Sequence, residues 1–256
     1  MLEKVVIHKL YYDTLKKQED LVIKEFKANL YVNGSHYISL MCLPQHLEEL
    51  AVGFLFAEGV IGAYQDVQGI ELLYAGDINI SLRNGKELSP ASNRTLVSGF
   101  GQGSVNDDFF KYENLPKVLS KITTSPNEVV KMTTLFNKRS ELFRQTGAVH
   151  SASLILSNGK NLFYEDIGRH NALDKIIGKA LITGLSLEES VLITSGRISS
   201  EMLLKTARAG IPILISVSAP TDLAIDLAKK INLTLIGFSR DGGFNVYAGE
   251  GRVALL

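Results

Sequence analysis

The sequence predicts an α/β protein with a mixed β-sheet flanked by helices and a smaller β-rich region on its N-terminal side. In the last hundred residues, helix-like segments alternate with short apolar strands, which is typical of a largely parallel sheet. Asn-Gly pairs at residues 33–34 and 158–159 lie between β-forming segments and predict antiparallel hairpins. Strands of both kinds therefore meet in a mixed sheet.

The composition agrees with a globular protein and argues against several functions. The 256 residues include 27 Lys and Arg against 27 Asp and Glu, so no charge bias indicates a nucleic acid partner. The first twenty residues lack the apolar core of a secretion signal, and no apolar segment is long enough to span a bilayer. The single cysteine, Cys42, excludes an intrachain disulfide and a multi-cysteine zinc cluster. We expect a cytoplasmic protein that contacts neither nucleic acid nor membrane.

β-Forming segments and one helix make up the first part of the chain. Residues 20–43 predict two strands joined by the Asn33-Gly34 turn, because both turn positions need a positive φ angle. Pro44 ends the second strand, and the helix that follows ends at Gly59. The apolar residues of this helix recur at helical spacing: Leu47, Leu50, Ala51, Phe54 and Leu55.

The middle of the chain has a weaker pattern. Residues 68–83 predict strands with a turn at 84–85, after which the periodicity fades until about residue 125. This part contains the stretch TLVSGFGQGSVN, residues 95–106, which is rich in glycine and has no ionisable group. Such a stretch is typical of a phosphate-binding loop or a flexible lid.

The last part of the chain begins with a helix that Pro126 opens and Gly147 ends. We expect four residues on its inner face: Val130, Leu135, Leu142 and Phe143. Helix-like and strand-like segments then alternate at residues 171–184, 190–195, 200–210, 212–218, 221–232 and 233–239. The change of pattern divides the chain into a β-rich N-terminal region, residues 1–125, and an α/β domain, residues 126–256.

Three arginines lie where strands of this domain end. Arg169 and His170 stand at the start of a helix, whose free amides and dipole favour an anion. Arg197 follows the next strand, and Arg240 precedes an Asp-Gly-Gly turn. Open α/β sheets bind ligands at such junctions, and a guanidinium forms paired hydrogen bonds with phosphate. The recurrence of arginine predicts a large anionic ligand.

Each junction also has an ordinary structural explanation. Asp166 or Asn171 can cap the first helix while the neighbouring histidine packs against it. Ser199 and Glu201 form an ordinary capping pair, and the Asp-Gly-Gly turn is more often simply a hairpin. His150 stands alone before a strand, where a histidine is usually structural. No companion residue completes a metal site, and no G-x-S-x-G motif marks a nucleophile.

Five longer segments carry more information than single residues. They read HLEELAVGFLFAEGVI, TGAVHSASL, YEDIGRHNALDKIIGKAL, SGRISSEMLLKTARAGIPILISVSAPTDLAIDLA and LIGFSRDGGFNVY. Together, and in this order, they resemble the formate dehydrogenase accessory proteins, the FdhD sulfur carriers. The resemblance implies a cytidine-deaminase-like α/β core and a homodimer. It also implies two partners, a cysteine desulfurase that gives up sulfur as a persulfide and the formate dehydrogenase that receives the finished cofactor.

The resemblance further implies a ligand and the residues that contact it. The ligand is the molybdenum cofactor in its bis(molybdopterin guanine dinucleotide) form, which is bound rather than used. The family's cofactor-contacting segment matches Phe238, Ser239, Arg240, Asp241, Gly242 and Gly243. We expect Arg169, Arg197 and Arg240 to hold the guanine dinucleotide phosphates. His170 and Asp166 are expected to orient them.

One segment departs from the family pattern. The family carries sulfur on a loop of the form S-x-C-G-x-C-G, because a thiolate takes up and releases a sulfane sulfur reversibly. This chain reads S-G-F-G-Q-G-S at residues 98–104, with Phe100 and Gly103 at the cysteine positions. Cys42 lies in LMCLP, away from the family's carrier position, and an isolated cysteine in such surroundings is typically a buried apolar residue.

Three functions therefore stay open. The first is sulfur transfer to the cofactor, which the resemblance implies but which the loop lacks the thiols to perform. The second is delivery or protection of the cofactor without sulfur transfer, with residues 95–106 closing over its pterin end. The third is a paralogue whose pocket binds another nucleotide.

Overall fold

The computed structural model describes residues 1–83, 95–96 and 117–254, and this part of the chain contains thirteen strands and six α-helices. The strands are β1 (Leu2–Tyr11), β2 (Thr14–Ile23), β3 (Phe26–Val32), β4 (Ser35–Cys42), β5 (Val67–Leu72), β6 (Asp77–Leu82), β7 (Thr95–Leu96), β8 (His150–Leu156), β9 (Asn161–Asp166), β10 (Ser190–Thr194), β11 (Ile213–Ser216), β12 (Thr234–Arg240) and β13 (Gly243–Ala248). The helices are α1 (Leu47–Ala57), α2 (Pro126–Arg139), α3 (Glu141–Thr146), α4 (Arg169–Ile182), α5 (Ser200–Arg208) and α6 (Asp222–Ile231). The predicted fold class, a mixed α/β core with a β-rich N-terminal region, is confirmed.

The central sheet has the strand order β13-β12-β11-β10-β8-β9. Strands β10, β11 and β12 are parallel, whereas β8, β9 and β13 join antiparallel to their neighbours. One face packs Leu192, Leu214 and Leu235 into the main hydrophobic core with α4, α5 and α6. The other face packs Ile193 and Ile215 into a smaller core that includes α2. Burial on both faces explains why these strands read as continuous apolar runs.

The N-terminal region contains a five-stranded sheet with the order β5-β6-β3-β4-β7. Its central hairpin turns at Asn33 and Gly34, with φ angles of 51° and 79°, as the sequence predicts. The prediction of one strand through residues 20–32 is wrong, because residues 20–23 belong to β2. Strand β2 pairs with β1 in a separate two-stranded sheet.

The helix predicted from Pro126 to Gly147 is broken in two. Ser140 has an extended backbone, and its hydroxyl accepts a hydrogen bond from the Phe143 amide at 3.1 Å, which starts α3. Leu135 and Phe143 are 61% and 54% exposed, so their predicted place on the inner face is wrong. The buried residues of α2 are spaced four and three positions apart, as on one face of a helix, but they differ from the predicted ones: Val129, Thr133 and Phe136.

Helices α1 and α4 cross at two glycines and join the two regions of the chain. A Cβ atom on Gly53 would lie 1.8 Å from the Asp174 carbonyl oxygen. A Cβ atom on Gly178 would lie 1.9 Å from the Glu49 carbonyl oxygen. The two backbones are therefore in direct contact, and one hydrophobic core extends from β3, β4 and β6 through both helices. The predicted division at about residue 125 stays a prediction.

Candidate functional site

The candidate site lies at the edge of the central sheet where β10, β11 and β12 end. Strand β8 is antiparallel to β10, so its first residues lie beside the last residues of β10, and the Ser195 amide donates to the Ser151 carbonyl at 3.0 Å. His150 is the register partner of Asp166, the last residue of β9. Helix α4 begins three residues later, at Arg169. The topology thus brings His150 and Ser195 together, although they are 45 positions apart in the chain.

Ser195 connects the start of β8 to the loop after β10. Its Oγ accepts a hydrogen bond from the Ser151 amide at 2.9 Å and lies 3.1 Å from Nδ1 of His150. Because this oxygen already accepts the amide proton, its own proton is free to be donated to the imidazole. Burial, followed by the positive charges of Arg169 and Arg197, lowers the pKa of His150. The imidazole is therefore neutral near pH 7.

Arg169 and Arg197 face the same small region. Burial and then the positive charge of Arg197 lower the pKa of Arg169, an effect that Glu201 opposes. The Nε atom of Arg169 is buried and has no hydrogen-bond partner within the described residues. A buried donor without a partner is costly, and two guanidinium groups repel each other. An anion bound between them would relieve both effects.

Gly196 allows Arg169 to reach this position. A Cβ atom at residue 196 would lie 2.7 Å from Cδ of Arg169 and 2.9 Å from its Cβ. The arginine side chain therefore packs directly on the backbone of the loop after β10. The two residues are 27 positions apart in the sequence, and only the sheet topology brings them into contact.

His170 lies one residue further along α4 and is half-buried. Its Nε2 lies 3.6 Å from Oε2 of Glu201. Burial holds the pKa of His170 well below its usual range, and the positive charges of Lys205 and Arg169 act in the same direction. We infer that the ring is neutral near pH 7 and therefore offers one N–H donor.

Asp166 lies beneath the start of α4 and is fully buried. It pairs with Nζ of Lys175 at 2.6 Å and accepts hydrogen bonds from the Gly168 amide, the Leu43 amide and the Asn171 side chain. These partners are all internal, so this carboxylate positions the turn before Arg169 instead of facing outward. That Asp166 orients the phosphates stays a prediction. From its buried position it can act on them only through the turn, not by direct contact.

The loops after β10 and β11 are joined to each other. The Ser216 hydroxyl donates to the Gly196 carbonyl at 2.7 Å and accepts from the Ser218 amide at 2.9 Å. The Ile198 amide donates to the Ala219 carbonyl, and these loops therefore form one rigid unit behind Arg197. Ser195 and Ser216 were not among the residues predicted from the sequence for this site. The available signal was a serine at the end of β11 and another directly after β10.

The side chains of the segment from Phe238 to Gly243 do not all point to the same side of the sheet. The Phe238 amide donates to the Ser218 carbonyl, its φ angle is 52°, and the Arg240 guanidinium lies 5.7 Å from its ring centroid. Ser239 points to the other face of the sheet, where its hydroxyl lies 2.8 Å from that of Thr133 in α2. Asp241 and Gly242 form the turn between β12 and β13.

The distance between the two parts of the site follows from the sheet. Strand β12 is two strands from β10, which places Arg240 about 10 Å or more from the arginine pair. The structure therefore brings together Arg169, Arg197 and His170, and it places Phe238 and Arg240 further along the same edge. A ligand that reaches both parts must be longer than a single phosphate.

The chain is similar to known proteins over most of its length. The sequence model of the FdhD/NarQ family matches residues 23–254. The chain belongs to this family. It is 38% identical to the sulfur carrier protein FdhD of Bacillus subtilis over 242 residues, which cover 93% of this chain and 92% of that protein. It is 39% identical to the sulfur carrier protein FdhD of Staphylococcus haemolyticus, over 91% of this chain and 90% of that protein.

A solved structure agrees with this assignment. The crystal structure of a putative formate dehydrogenase accessory protein from Desulfotalea psychrophila matches with a TM-score of 0.81 and 28% sequence identity. The match covers 99% of both chains. The chain therefore shares the fold of this solved structure.

The positions that the resemblance predicts for the sulfur-carrying cysteines hold Phe100 and Gly103, which lie outside the described residues. The preceding residues, Thr95 and Leu96, form β7 and pair in parallel with β4. Cys42, the only cysteine of the sequence, is fully buried at the end of β4. Burial, and then the negative charge of Asp166, raises the pKa of its thiol to about 12. This thiol is neither accessible nor ionised at neutral pH.

Within residues 1–83 and 117–254, no group of three or more His, Cys, Asp or Glu side chains is placed to hold a metal ion. In the same part of the chain, no helix is long and apolar enough to cross a membrane.

Proposed function

We propose that this FdhD family member is a formate dehydrogenase accessory protein that binds the molybdenum cofactor through its guanine dinucleotide phosphates and has lost thiol-based sulfur transfer. The observation that carries the proposal is the pair formed by Arg169 and Arg197. Arg169 has a buried Nε without a hydrogen-bond partner among the described residues, and the positive charge of Arg197 acts on its guanidinium; this arrangement is suited to a phosphate.

The residues around this pair supply further donors. Helix α4 begins at Arg169 without a side-chain cap on its first residues, so its free amides add to the attraction for an anion. The neutral ring of His170 adds one N–H donor without adding charge. Asp166 and Lys175 hold the turn from below, which keeps these donors in place before the ligand binds. The donor set fits a phosphate group.

The second part of the site accounts for the size of the ligand. Phe238 is 37% exposed, and Arg240 lies over its ring. An exposed aromatic ring next to a guanidinium can stack on a nucleobase. Since this part lies two strands from the arginine pair, one ligand that engages both must carry a base and phosphates. A guanine dinucleotide meets that requirement, and the pterin and the metal would supply the redox chemistry when they are bound.

The absence of a usable thiol supports the loss of sulfur transfer. The sequence contains one cysteine, and it is buried with a pKa of about 12. A persulfide carrier needs an exposed thiol of low pKa. The second candidate function is sulfur transfer, which is favoured by the name of the relatives, sulfur carrier protein. Under that function a cysteine desulfurase would be a partner, and a homodimer is expected under both.

Calorimetric titration with guanosine diphosphate tests the binding site. We expect the wild-type protein to bind it and Arg197→Ala to weaken binding about ten-fold or more, the effect of losing a charged hydrogen bond. Arg83→Ala removes an exposed arginine elsewhere and serves as the control. Equal affinity of Arg197→Ala and wild type for guanosine diphosphate would show that the arginine pair does not bind the phosphates.

Intact-mass analysis after incubation with a cysteine desulfurase and cysteine tests the loss of sulfur transfer. We expect no added sulfur atom on the folded protein. A gain of one sulfur atom that disappears in Cys42→Ala would establish sulfur transfer through this residue. That result would leave the nucleotide site intact and overturn only the proposed loss.

A further inference from the structure

The N-terminal hairpin of β1 and β2 forms a sheet of its own within the described part of the chain. Its register runs from the pair Leu2 and Ile23 to the pair Tyr11 and Thr14 at the tip. The FdhD/NarQ family model begins only at residue 23, so this hairpin lies outside the part that defines the family. A two-stranded hairpin is marginally stable in water by itself. Strand β2 contacts α3, but residues 8–20 are all exposed, so the outer part of the hairpin calls for a contact beyond its own strands.

Positive charges face each other near the tip of the hairpin. Lys9 lies directly opposite Lys16, and the adjacent register pair is His8 and Lys17. Neither Lys9 nor Lys16 forms an ion pair with any described residue. At the other end of the same hairpin, by contrast, a lysine pairs with Glu19 at 3.0 Å. Like charges directly opposite destabilise a strand pair, so the tip is suited to a negatively charged group.

Tyr12 in the turn has an unfavourable backbone conformation. Its φ angle is 51°, in the left-handed region, where a bulky side chain is strained. The side chain is 87% exposed, and its ring meets that of Tyr11 edge to face at 5.1 Å. The free protein thus gains little packing in return for this strain. Strain of this kind is concentrated at sites of function.

The two faces of the tip have different chemistry. One face bears a hollow of about 370 Å³ that Lys9 and Lys16 line together with the two tyrosines. The opposite face carries the register pair Leu10 and Leu15, whose side chains are 66% and 63% exposed. Tyrosine is enriched at the energetic centres of protein interfaces, and exposed leucines beside it add apolar contact area.

We propose that the hairpin tip, residues 8–17, docks an acidic and partly apolar segment of a partner protein. The segment wraps around the hairpin: its carboxylates lie beside Lys9 and Lys16 on one face, and its apolar side chains cover Leu10 and Leu15 on the other. A polypeptide is favoured over a nucleic acid because the whole chain has zero net charge and the turn itself contains Asp13. Nucleic acid binding depends on a broad positive field, which such a chain does not provide.

Fluorescence anisotropy with a labelled 12-residue peptide of Asp, Glu and Leu tests this docking site. The full chain is expected to bind the peptide at low ionic strength. The double variant Lys9→Glu with Lys16→Glu should bind it at least about ten-fold more weakly. The control pair Lys117→Glu with Lys121→Glu makes the same change of charge at exposed positions elsewhere. It should retain the wild-type affinity.

A second variant separates function from stability at the tip. Tyr12→Gly removes the ring and relieves the left-handed strain, so it should weaken peptide binding and raise Tm by about 2–4 °C. Unchanged peptide affinity in the double lysine variant would overturn the proposal. Tighter binding of a single-stranded 12-nucleotide DNA than of the peptide would show that the hairpin tip binds a nucleic acid instead. If the wild-type chain self-associates in analytical ultracentrifugation and the double lysine variant does not, the partner is a second copy of the chain and not another protein.

Discussion

The side chain of Arg169 packs against the backbone of Gly196, and the absence of a side chain at residue 196 is what allows it. A Cβ atom there would lie 2.7 Å from Cδ of Arg169. Since Cβ, Cγ and Cδ of the arginine all lie close, the whole side chain would have to move. The direction of the guanidinium is therefore determined by a glycine on a different strand end.

Gly196→Ala tests this relationship. The new methyl group should displace Arg169 from the arginine pair, reduce affinity for guanosine diphosphate about ten-fold and destabilise the fold by about 1–3 kcal/mol. Titration calorimetry and thermal unfolding measure the two effects. Gly243→Ala has open space around the new methyl group and provides the stability control. Wild-type affinity in Gly196→Ala would show that the arginine position does not matter for binding.

Gly178→Ala tests the contact between α1 and α4. Because the methyl group would meet the Glu49 carbonyl, the helices must separate, and we expect a loss of about 3 kcal/mol or more in the free energy of unfolding. Gly69→Ala, where no atom lies near the new methyl group, should change it by less than about 1 kcal/mol. Urea denaturation compares the two variants. Similar midpoints for both would mean that the two helices are not in tight contact.

Glu58 at the end of α1 should make stability depend on pH. Burial raises its pKa to about 7, Lys205 opposes this shift, and Asp174 adds to it. The folded state thus holds a proton that the unfolded state releases, so this residue's contribution to stability is lost as the pH rises from about 4.5 to 7. Glu58→Gln should therefore be more stable than wild type above pH 7, by at most about 3 kcal/mol.

The expected advantage of Glu58→Gln disappears below about pH 4.5, where the wild-type carboxyl is protonated in both states. Urea denaturation at a series of pH values measures it. A difference between the two proteins that stays constant from pH 4 to pH 8 would contradict the raised pKa.

Cys42 should be inert in the folded protein. Its thiol is fully buried and has a pKa of about 12, so it should not react with a disulfide reagent at pH 8 on the time scale of an exposed thiol. In urea the same thiol should react at once. Spectrophotometric titration with and without denaturant distinguishes the two states. Rapid labelling of the folded protein would reopen a sulfur-carrying role for this residue.

The sequence determined a large part of the fold because its local signals agree with the tertiary structure. The Asn33-Gly34 turn, the start of α2 at Pro126 and the alternating apolar segments after residue 185 all depend on short-range chemistry. The break at Ser140 was missed because a serine inside a helical pattern becomes a new start only when its hydroxyl accepts an amide proton. The hairpin of residues 2–23 was missed because its strands are mostly exposed and therefore lack an alternating apolar pattern.

The sequence by itself determined the family, the missing loop cysteines and the three arginines at strand ends. Only the tertiary structure decided which of these residues meet. Arg169 and Arg197 converge because β9 and β10 both run antiparallel to β8 and therefore end at the same edge of the sheet, whereas Asp166 is buried under the turn and Ser239 points to the opposite face of the sheet. Strand order and the alternation of side chains across a sheet are long-range properties, and a local sequence pattern does not contain them.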